Sequence, residues 1–252
     1  MSNLPHYAIV LAAGKGTRMQ SSTQPKVLFP IANRPMLAHV LDYLQQAGLA
    51  NDQIVIVVGF LAEMVEERFA LGYHFVRQTE LLGTADSAKR AEPILADKGE
   101  GVTVIVNGDQ PFFRPSSIQR LTQAIENGAT MAVLTGEMAD PEFDGFGRVI
   151  TDSEGCVQKI VEVKDATEEQ RAIRLMNLGG YACNNQWLWS ALNKIEKSPV
   201  TGEYYITDLI DLAVSEGKKA VAIQIEDRAE ALGINTLEHL AAAEAIAKQS
   251  SR

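Results

Sequence analysis

Hydrophobic positions along the first half of the chain come in short unbroken runs that alternate with spaced sets. Tyr7-Ala-Ile-Val-Leu-Ala-Ala13 is an apolar run of strand length that stops at Gly14-Lys15-Gly16. A run without polar alternation predicts a strand buried on both faces, as in a parallel sheet. Ile54-Val-Ile-Val-Val-Gly59 and Val102-Thr-Val-Ile-Val-Asn-Gly-Asp109 predict two more. Between them, Met36, Val40, Leu41 and Leu44 recur at helical spacing from Pro35 to Gln46, and Gly48 supplies a stop. Leu61 to Leu71 and Ser116 to Asn127 predict further helices, the latter opened by a serine pair suited to capping. Strands alternating with helices predict an α/β fold: a Rossmann-like, mixed but mainly parallel sheet flanked by helices. Ligands of such sheets bind beyond the carboxyl ends of the strands. Gly14-Lys15-Gly16 and Asn107-Gly108-Asp109 both fall there.

The second half is less regular. Thr130 to Thr135, Gly147 to Thr151, Val157 to Val163, Leu178 to Cys183 and Ala220 to Ile225 predict strands, with a Phe143 to Gly147 loop. A short acidic helix follows Thr167, and the tail from Thr236 predicts a terminal helix. No repeat, low-complexity tract or linker interrupts the chain. The expectation is one domain over 1–252, with a nucleotide-binding half at 1–128, a sugar-binding half at 129–235 and a C-terminal helix at 236–252.

Composition narrows the setting. No apolar run reaches the roughly 18 residues of a membrane span, and Met1-Ser2-Asn3-Leu4-Pro5 lacks the features of a signal peptide. Cys156 and Cys183 have no metal-ligand spacing and are read as two buried thiols, which points to a cytoplasmic location. The net charge of −9 argues against a nucleic-acid-binding surface. Its distribution is uneven: the first 41 residues hold Lys15, Arg18, Lys26 and Arg34 and no acid, giving +4 against −13 for the rest. A positive island on an acidic protein suits a small, highly charged anion.

That island coincides with Leu11-Ala-Ala-Gly-Lys-Gly-Thr-Arg-Met19 and Gln24-Pro25-Lys26. Glycines let a backbone approach a ligand and offer N–H groups to phosphate oxygens. The segment is neither a Walker A loop nor a dinucleotide fingerprint, whose third glycine is replaced by Met19. Arg18 offers a bidentate fork and Lys26 a mobile point charge. Taken singly, the other polar residues have ordinary readings. Asp109 can cap a turn, Glu162 can be a surface acid, and Asn177 and Asn235 can be turn residues. Gln78 can be solvated, and Lys164 can pair with Asp165. His6, His39, His74 and His239 are scattered and read as structural or surface residues. Trp187 and Trp189 are expected to pack or to lie in a partner interface.

Together the motifs have an order. Leu11 to Met19 with Pro25-Lys26-Val-Leu28 resembles the signature of the sugar-phosphate nucleotidyltransferases. The likeness is strongest to the uridylyltransferase part of the N-acetylglucosamine-1-phosphate uridylyltransferases. Gln78-Thr-Glu-Leu-Leu-Gly-Thr84, Asn107-Gly-Asp-Gln-Pro111, Phe146-Gly-Arg148 and Val161-Glu-Val-Lys-Asp-Ala-Thr167 follow in family order. Asn177-Leu-Gly179, Gly202-Glu-Tyr-Tyr-Ile-Thr-Asp208 and Gly233-Ile-Asn235 complete it.

The resemblance implies the nucleotide-diphospho-sugar transferase fold and transfer from UTP to a sugar 1-phosphate with Mg2+, releasing pyrophosphate. It implies that Leu11, Ala12, Ala13, Gly14 and Gly108 hold the nucleotide while Gln78 and Gly83 read uracil. Lys15 and Arg18 would neutralise the β- and γ-phosphates, and Lys26 the phosphoryl group in transfer. Asp109 and Asn235 would bind the metal. Asn107, Gly147, Glu162 and Asn177 would meet the sugar, with Thr84 and Thr207 lining the pocket and Lys164 reaching the sugar phosphate. An incoming phosphate is already ionised at neutral pH, so no general base is needed; positioning and charge suffice.

Four positions depart from the family's usual residues: Asn107 and Phe146 stand for tyrosine, Leu178 for a small hydroxyl residue and Val163 for histidine. Three border the expected sugar pocket, so another sugar phosphate, such as glucose 1-phosphate, remains open, as does another nucleoside triphosphate. A non-catalytic nucleotide-sugar sensor is the alternative of a different class. No hexapeptide repeats follow Thr236, so the acetyl transfer and trimer of the bifunctional relatives are not expected, while a homo-oligomer of another kind stays possible.

Overall fold

The structure is a computed structural model that describes residues 4–19, 22–70, 72–138 and 145–250. Residues 1–3, 71 and 143–144, used in the sequence reading, lie outside the described residues.

Nine strands form one sheet among the described residues: β1 (His6–Ala12), β2 (Ile54–Val58), β3 (His74–Arg77), β4 (Val102–Asn107), β5 (Met131–Glu137), β6 (Arg148–Thr151), β7 (Val157–Val161), β8 (Leu175–Asn184) and β9 (Ala220–Gln224). The spatial order is β9-β5-β8-β4-β1-β2-β3, with β6 paired to β8 and β7 to β6. The β4-β1-β2-β3 block and the β9-β5 pair are parallel; β8 runs antiparallel to all three of its partners, β4, β5 and β6. The mixed, mainly parallel sheet expected from the sequence is therefore the one observed.

Its unbroken apolar runs have a direct cause. Ala8, Val10, Ile54, Ile56 and Val104 face one core, while Ile9, Val55, Val57 and Ile105 face the other, and all are essentially inaccessible. Helix α1 (Met36–Gln46) covers the first face through Leu37, Val40, Leu41 and Leu44. Helices α2 (Ala62–Arg68) and α4 (Pro115–Glu126) join it there through Val65, Ile118 and Leu121. Helices α3 (Thr84–Lys89), α5 (Asn185–Leu192) and α6 (Asp208–Ser215) cover the second through Ala88, Leu188 and Leu209.

Helix α4 corrects one expectation. Its N-cap is Arg114 with Pro115 in the first turn, and Ser116 and Ser117 lie inside the helix instead of capping it. Proline presets the first helical φ and has no N–H to satisfy. The Arg114 N–H is bound instead by the Glu230 carboxylate at 3.0 Å. Cys183 is buried as expected and burial pushes its thiol pKa up, but Cys156 is only half-buried. Trp187 and Trp189 sit on α5, both buried, their indole N–H groups bonded to Glu216 and Asn185. The terminal helix α7 (Leu237–Ser250) packs on a third cluster of Met19, Ile31, Met36, Ile234 and Ala243. Glu244 on α7 also accepts the Ala32 N–H at 2.8 Å, fixing the chain end against the first loops.

Candidate functional site

Beyond the carboxyl ends of β1 and β4, four of the expected residues meet. Lys26 forms an ion pair with Asp109, and its Nζ also donates to Asn235 Oδ1 at 3.2 Å. Arg18 Nη2 donates to the same Oδ1 at 3.0 Å. Two features bring Lys26 to this point. Gly16 has φ +61°, and a side chain there would start 2.7 Å from Lys26 Cβ, so the loop passes Lys26 only as glycine. Lys26 itself opens a single 3-10 turn, Lys26–Leu28. Asn235 arrives from more than 200 residues away because the Ile234 N–H bonds the Asp109 carbonyl at 2.9 Å while α7 is held by its own core. His239 Nδ1 lies 3.0 Å from the Gly233 carbonyl, a structural role for that imidazole.

The Lys26 and Asp109 side chains are only 13% and 16% exposed, so their attraction is less screened than that of a surface pair. The Asp109 carboxylate and the Asn235 amide oxygen contact one ammonium nitrogen. Two hard oxygens that converge on a shared cation position fit a magnesium-type ion, which takes one or two protein ligands and completes its shell with water and phosphate. Lys15 is exposed on the loop and contacts neither oxygen.

Two hollows flank this cluster. The first, of about 250 Å³, is lined by Leu11, Ala12, Ala13, Gly14, Lys26, Gln78, Gly83 and Thr84, with Leu81 and Ser87 among its other walls. Gly83 has φ +107° and lies against the Tyr204 backbone, where any side chain would collide. The Ala85 N–H bonds the Tyr204 carbonyl at 3.0 Å and the Thr84 hydroxyl accepts the Ile206 N–H at 2.9 Å, so the 203–207 segment is tied to α3. Gln78 Nε2 donates to the Gly83 carbonyl and to Asp86. Gly108 is buried, its N–H on the Leu11 carbonyl, and lines neither hollow.

The second hollow, of about 360 Å³, lies on the far side of Asp109 and within the size range of small-molecule sites. Asn107, Gly147, Glu162, Asn177 and Thr207 line it, as do Thr84, Asp109 and Asn235. Strand β8 carries a register shift between Asn177 and Tyr181, and polar side chains hold the bulge. Asn177 Nδ2 donates to the Tyr181 hydroxyl at 2.8 Å and its Oδ1 accepts the Gly179 N–H at 3.1 Å. Gln110 Nε2 bonds the Leu178 carbonyl, and its Oε1 accepts from Asn107 at 2.9 Å. Asn177 therefore keeps one proton and one lone pair for a ligand. Glu162 accepts from the Thr207 hydroxyl at 3.4 Å, and burial raises its pKa, opposed by that bond. Lys164 is exposed and lines neither hollow.

The sequence matches the nucleotidyl transferase family over residues 7–230. The chain belongs to that family. Its relatives include the bifunctional protein GlmU of Bacillus cereus (strain G9842) and of Bacillus anthracis (strain CDC 684 / NRRL 3495). Each is 41% identical over 249 residues, covering 98% of this chain and 52% of the relative. The chain thus spans about half the length of these relatives. Among solved structures, a UDP-glucose pyrophosphorylase complexed with UDP-glucose superposes with a TM-score of 0.78 at 19% identity, covering 98% of this chain and 99% of that one. That likeness establishes a shared fold.

Several residues of this candidate site escaped the sequence reading. Gln110, Tyr181 and Tyr205 line the second hollow, and Ser87 and Asp86 stand in or behind the wall of the first. Gln110 was within reach, since it follows Asp109 directly at a strand end. Tyr181 had no signal, because an aromatic on a buried strand reads as core. Among the described residues no group of three or more His, Cys, Asp or Glu residues is placed to hold a metal, and no helix is long and apolar enough to cross a membrane.

Proposed function

We propose that the chain transfers a uridylyl group from UTP to a sugar 1-phosphate, with N-acetylglucosamine 1-phosphate the first acceptor to try and Mg2+ the metal. The observation that carries the reading is the meeting of Arg18, Lys26, Asp109 and Asn235 between two hollows. The base and ribose belong to the first hollow, bounded by the Leu11–Gly14 backbone, Gln78 and Gly83. The sugar belongs to the second, where Glu162 and Asn177 accept and donate to hydroxyls. The α-phosphorus then lies between them, at Lys26.

In this reading an acceptor phosphate oxygen attacks the α-phosphorus, a new P–O bond forms, and the bond to pyrophosphate breaks. Lys26 and Arg18 lower the repulsion between the two anions and stabilise charge on the departing pyrophosphate. Lys15, on its exposed loop, reaches the outer phosphates. Asp109 and Asn235 would hold the magnesium ion, which supplies charge neutralisation when bound. Lys26, which pairs with the same two oxygens, would then be free to serve the phosphate. Lys164 reaches the acceptor phosphate only by a movement of the 162–166 turn.

The UDP-glucose held by the structural neighbour is a product of the same chemical class, and the GlmU relatives favour the N-acetylglucosamine acceptor through the motifs already given. Free thiols at Cys156 and Cys183 support the cytoplasmic setting proposed with it. A panel of four nucleoside triphosphates against N-acetylglucosamine 1-phosphate and glucose 1-phosphate, read by pyrophosphate release with and without Mg2+, tests the proposal. Release with UTP and one of these sugars is expected. Silence across the panel overturns it.

A further inference from the structure

We propose that Asp86, through its ion pair with Arg90, sets which nucleobase the first hollow accepts, by fixing the orientation of the Gln78 amide. The inference rests on the uridylyl-transfer reading and adds a positioning residue to it.

Gln78 is 4% exposed and lies in the wall of that hollow. Both protons of its Nε2 are engaged, one by Asp86 Oδ2 at 2.7 Å and one by the Gly83 carbonyl at 3.1 Å. Both partners are acceptors. The Asp86 side chain is only 11% exposed, and Arg90 Nη2 holds its other oxygen, Oδ1, at 2.6 Å. A carboxylate paired with a guanidinium has oxygens that accept hydrogen bonds and donate none. Turning the Gln78 amide over would set Oε1 against a carboxylate and a carbonyl, leaving three acceptors facing one another. The amide is therefore locked. Its Oε1 makes no hydrogen bond among the described residues and is the group left for a ligand.

A fixed acceptor selects a base edge. Uracil carries a proton on N3, whereas cytosine presents a lone pair there. Gln78 Oε1 completes a hydrogen bond with the first and opposes the second. Glutamine alone cannot make this choice, because a free amide serves either base by turning over. The discrimination thus originates one residue behind the wall, on α3.

The substitution Asp86→Asn removes the lock while keeping the shape. Arg90 still requires an acceptor, so the new amide oxygen takes the Oδ1 position and its NH2 faces Gln78. That NH2 attracts Gln78 Oε1 while the Gly83 carbonyl still attracts Nε2, so the amide is no longer locked and can turn Nε2 into the hollow. Steady-state kinetics with UTP and CTP, at saturating acceptor, should show the wild-type preference for UTP in kcat/KM reduced about 10- to 100-fold in Asp86→Asn, the range of one opposed buried polar pair. The change should fall on the nucleotide KM and leave the acceptor KM unmoved. A merely structural role would instead depress both nucleotides alike. Wild-type enzyme with N3-methyl-UTP is a second measurement that needs no variant: blocking the donor should weaken kcat/KM by a similar factor. An unchanged UTP-to-CTP ratio in Asp86→Asn, or equal use of UTP and its N3-methyl form, overturns the inference while uridylyl transfer stands. A wild-type enzyme that uses no UTP overturns both.

Discussion

The two sides of the cleft are built on opposite principles. On the side proposed for the phosphates, charged groups sit on short loops and turns: Lys15 and Arg18 are exposed, and Lys26 meets the Asn235 amide oxygen by a side-chain contact across 209 positions. On the side proposed for the acceptor, uncharged amides and hydroxyls form a network around the β8 bulge, tying Asn177, Tyr181, Gln110 and Asn107 together before any ligand arrives. A polyphosphate is a strong, forgiving partner, and charge gathers it from loose geometry. A sugar is distinguished only by where its hydroxyls point, so its receptor must be rigid in advance. The contrast predicts that changes on the first side damage turnover and changes on the second damage acceptor recognition or the fold.

The largest expected effect tests that division directly. Lys26→Ala or Arg18→Ala should lower turnover by more than about 10²-fold, the scale of removing one positioned charge from a transition state. Acceptor KM should move little, as measured by pyrophosphate release under saturating nucleotide. A variant whose only defect is a raised acceptor KM would merge the two sides.

Next is the rigidity of the acceptor wall. Arg148 is 2% exposed at the start of β6; its guanidinium bonds the Phe146 and Arg171 carbonyls, clamping the segment that ends in Gly147. Arg148→Ala should cost about 3 kcal/mol of stability by denaturant titration, since two carbonyls lose a charged donor and a buried side chain is removed. An unaltered midpoint would show that the wall holds without its clamp.

Glu162 carries a milder and pH-dependent effect. Burial, reinforced by Asp165, raises its pKa above the ordinary glutamate range, against the lowering influence of Thr207 and Lys164. Its carboxylate accepts from hydroxyls more strongly when ionised, so acceptor binding should weaken as pH falls through that raised value. Glu162→Gln should remove this pH dependence, and Glu162→Ala should raise acceptor KM about tenfold, on the scale of one charged hydrogen bond, with nucleotide KM unchanged. Equal weakening of both substrates would remove Glu162 from the acceptor side.

The phosphate side was the more legible in the sequence, and the reason is physical. Its chemistry lies in contiguous glycines and cations, Gly14 to Arg18, on an acid-free stretch that needs no tertiary context to stand out. The core strands were legible for a similar reason: residues buried on both faces leave unbroken runs, as at Ile54–Val58. The acceptor side hid its parts in ordinary residues. Gln110 and Tyr181 become polar receptors only when the β8 bulge turns them together, and α3, six residues of mostly small side chains, is too short to show a period. Asp86 with Arg90 had the i,i+4 spacing of a helix ion pair, yet only the fold brings Gln78 to it.

The smallest effect concerns Asp208, which follows Thr207 of the acceptor wall in sequence. Asp208, at the start of α6, is pushed up to about 6 by burial, then by Asp211 and Glu162, against the pull of Lys159. In the unfolded chain it titrates near 3.9. Between these values the folded state holds more protons than the unfolded one, so this group's contribution makes stability fall as pH rises from about 4 to about 6. Above that window the ionised carboxylate is a net cost. Asp208→Asn should therefore stabilise the protein at pH 7, by about 1 kcal/mol after allowance for solvent screening of a half-exposed group. The gain should vanish below about pH 4, where both states are protonated. Thermal melts at pH 4 and pH 7 check both the sign and the window. A destabilised variant at pH 7 would mean that the carboxylate's place at the α6 N-terminus, favourable to negative charge, outweighs its burial and its acidic neighbours. The expected sign instead makes Asp208 a half-buried acid kept at the expense of stability, one position after Thr207 in the wall of the proposed acceptor hollow.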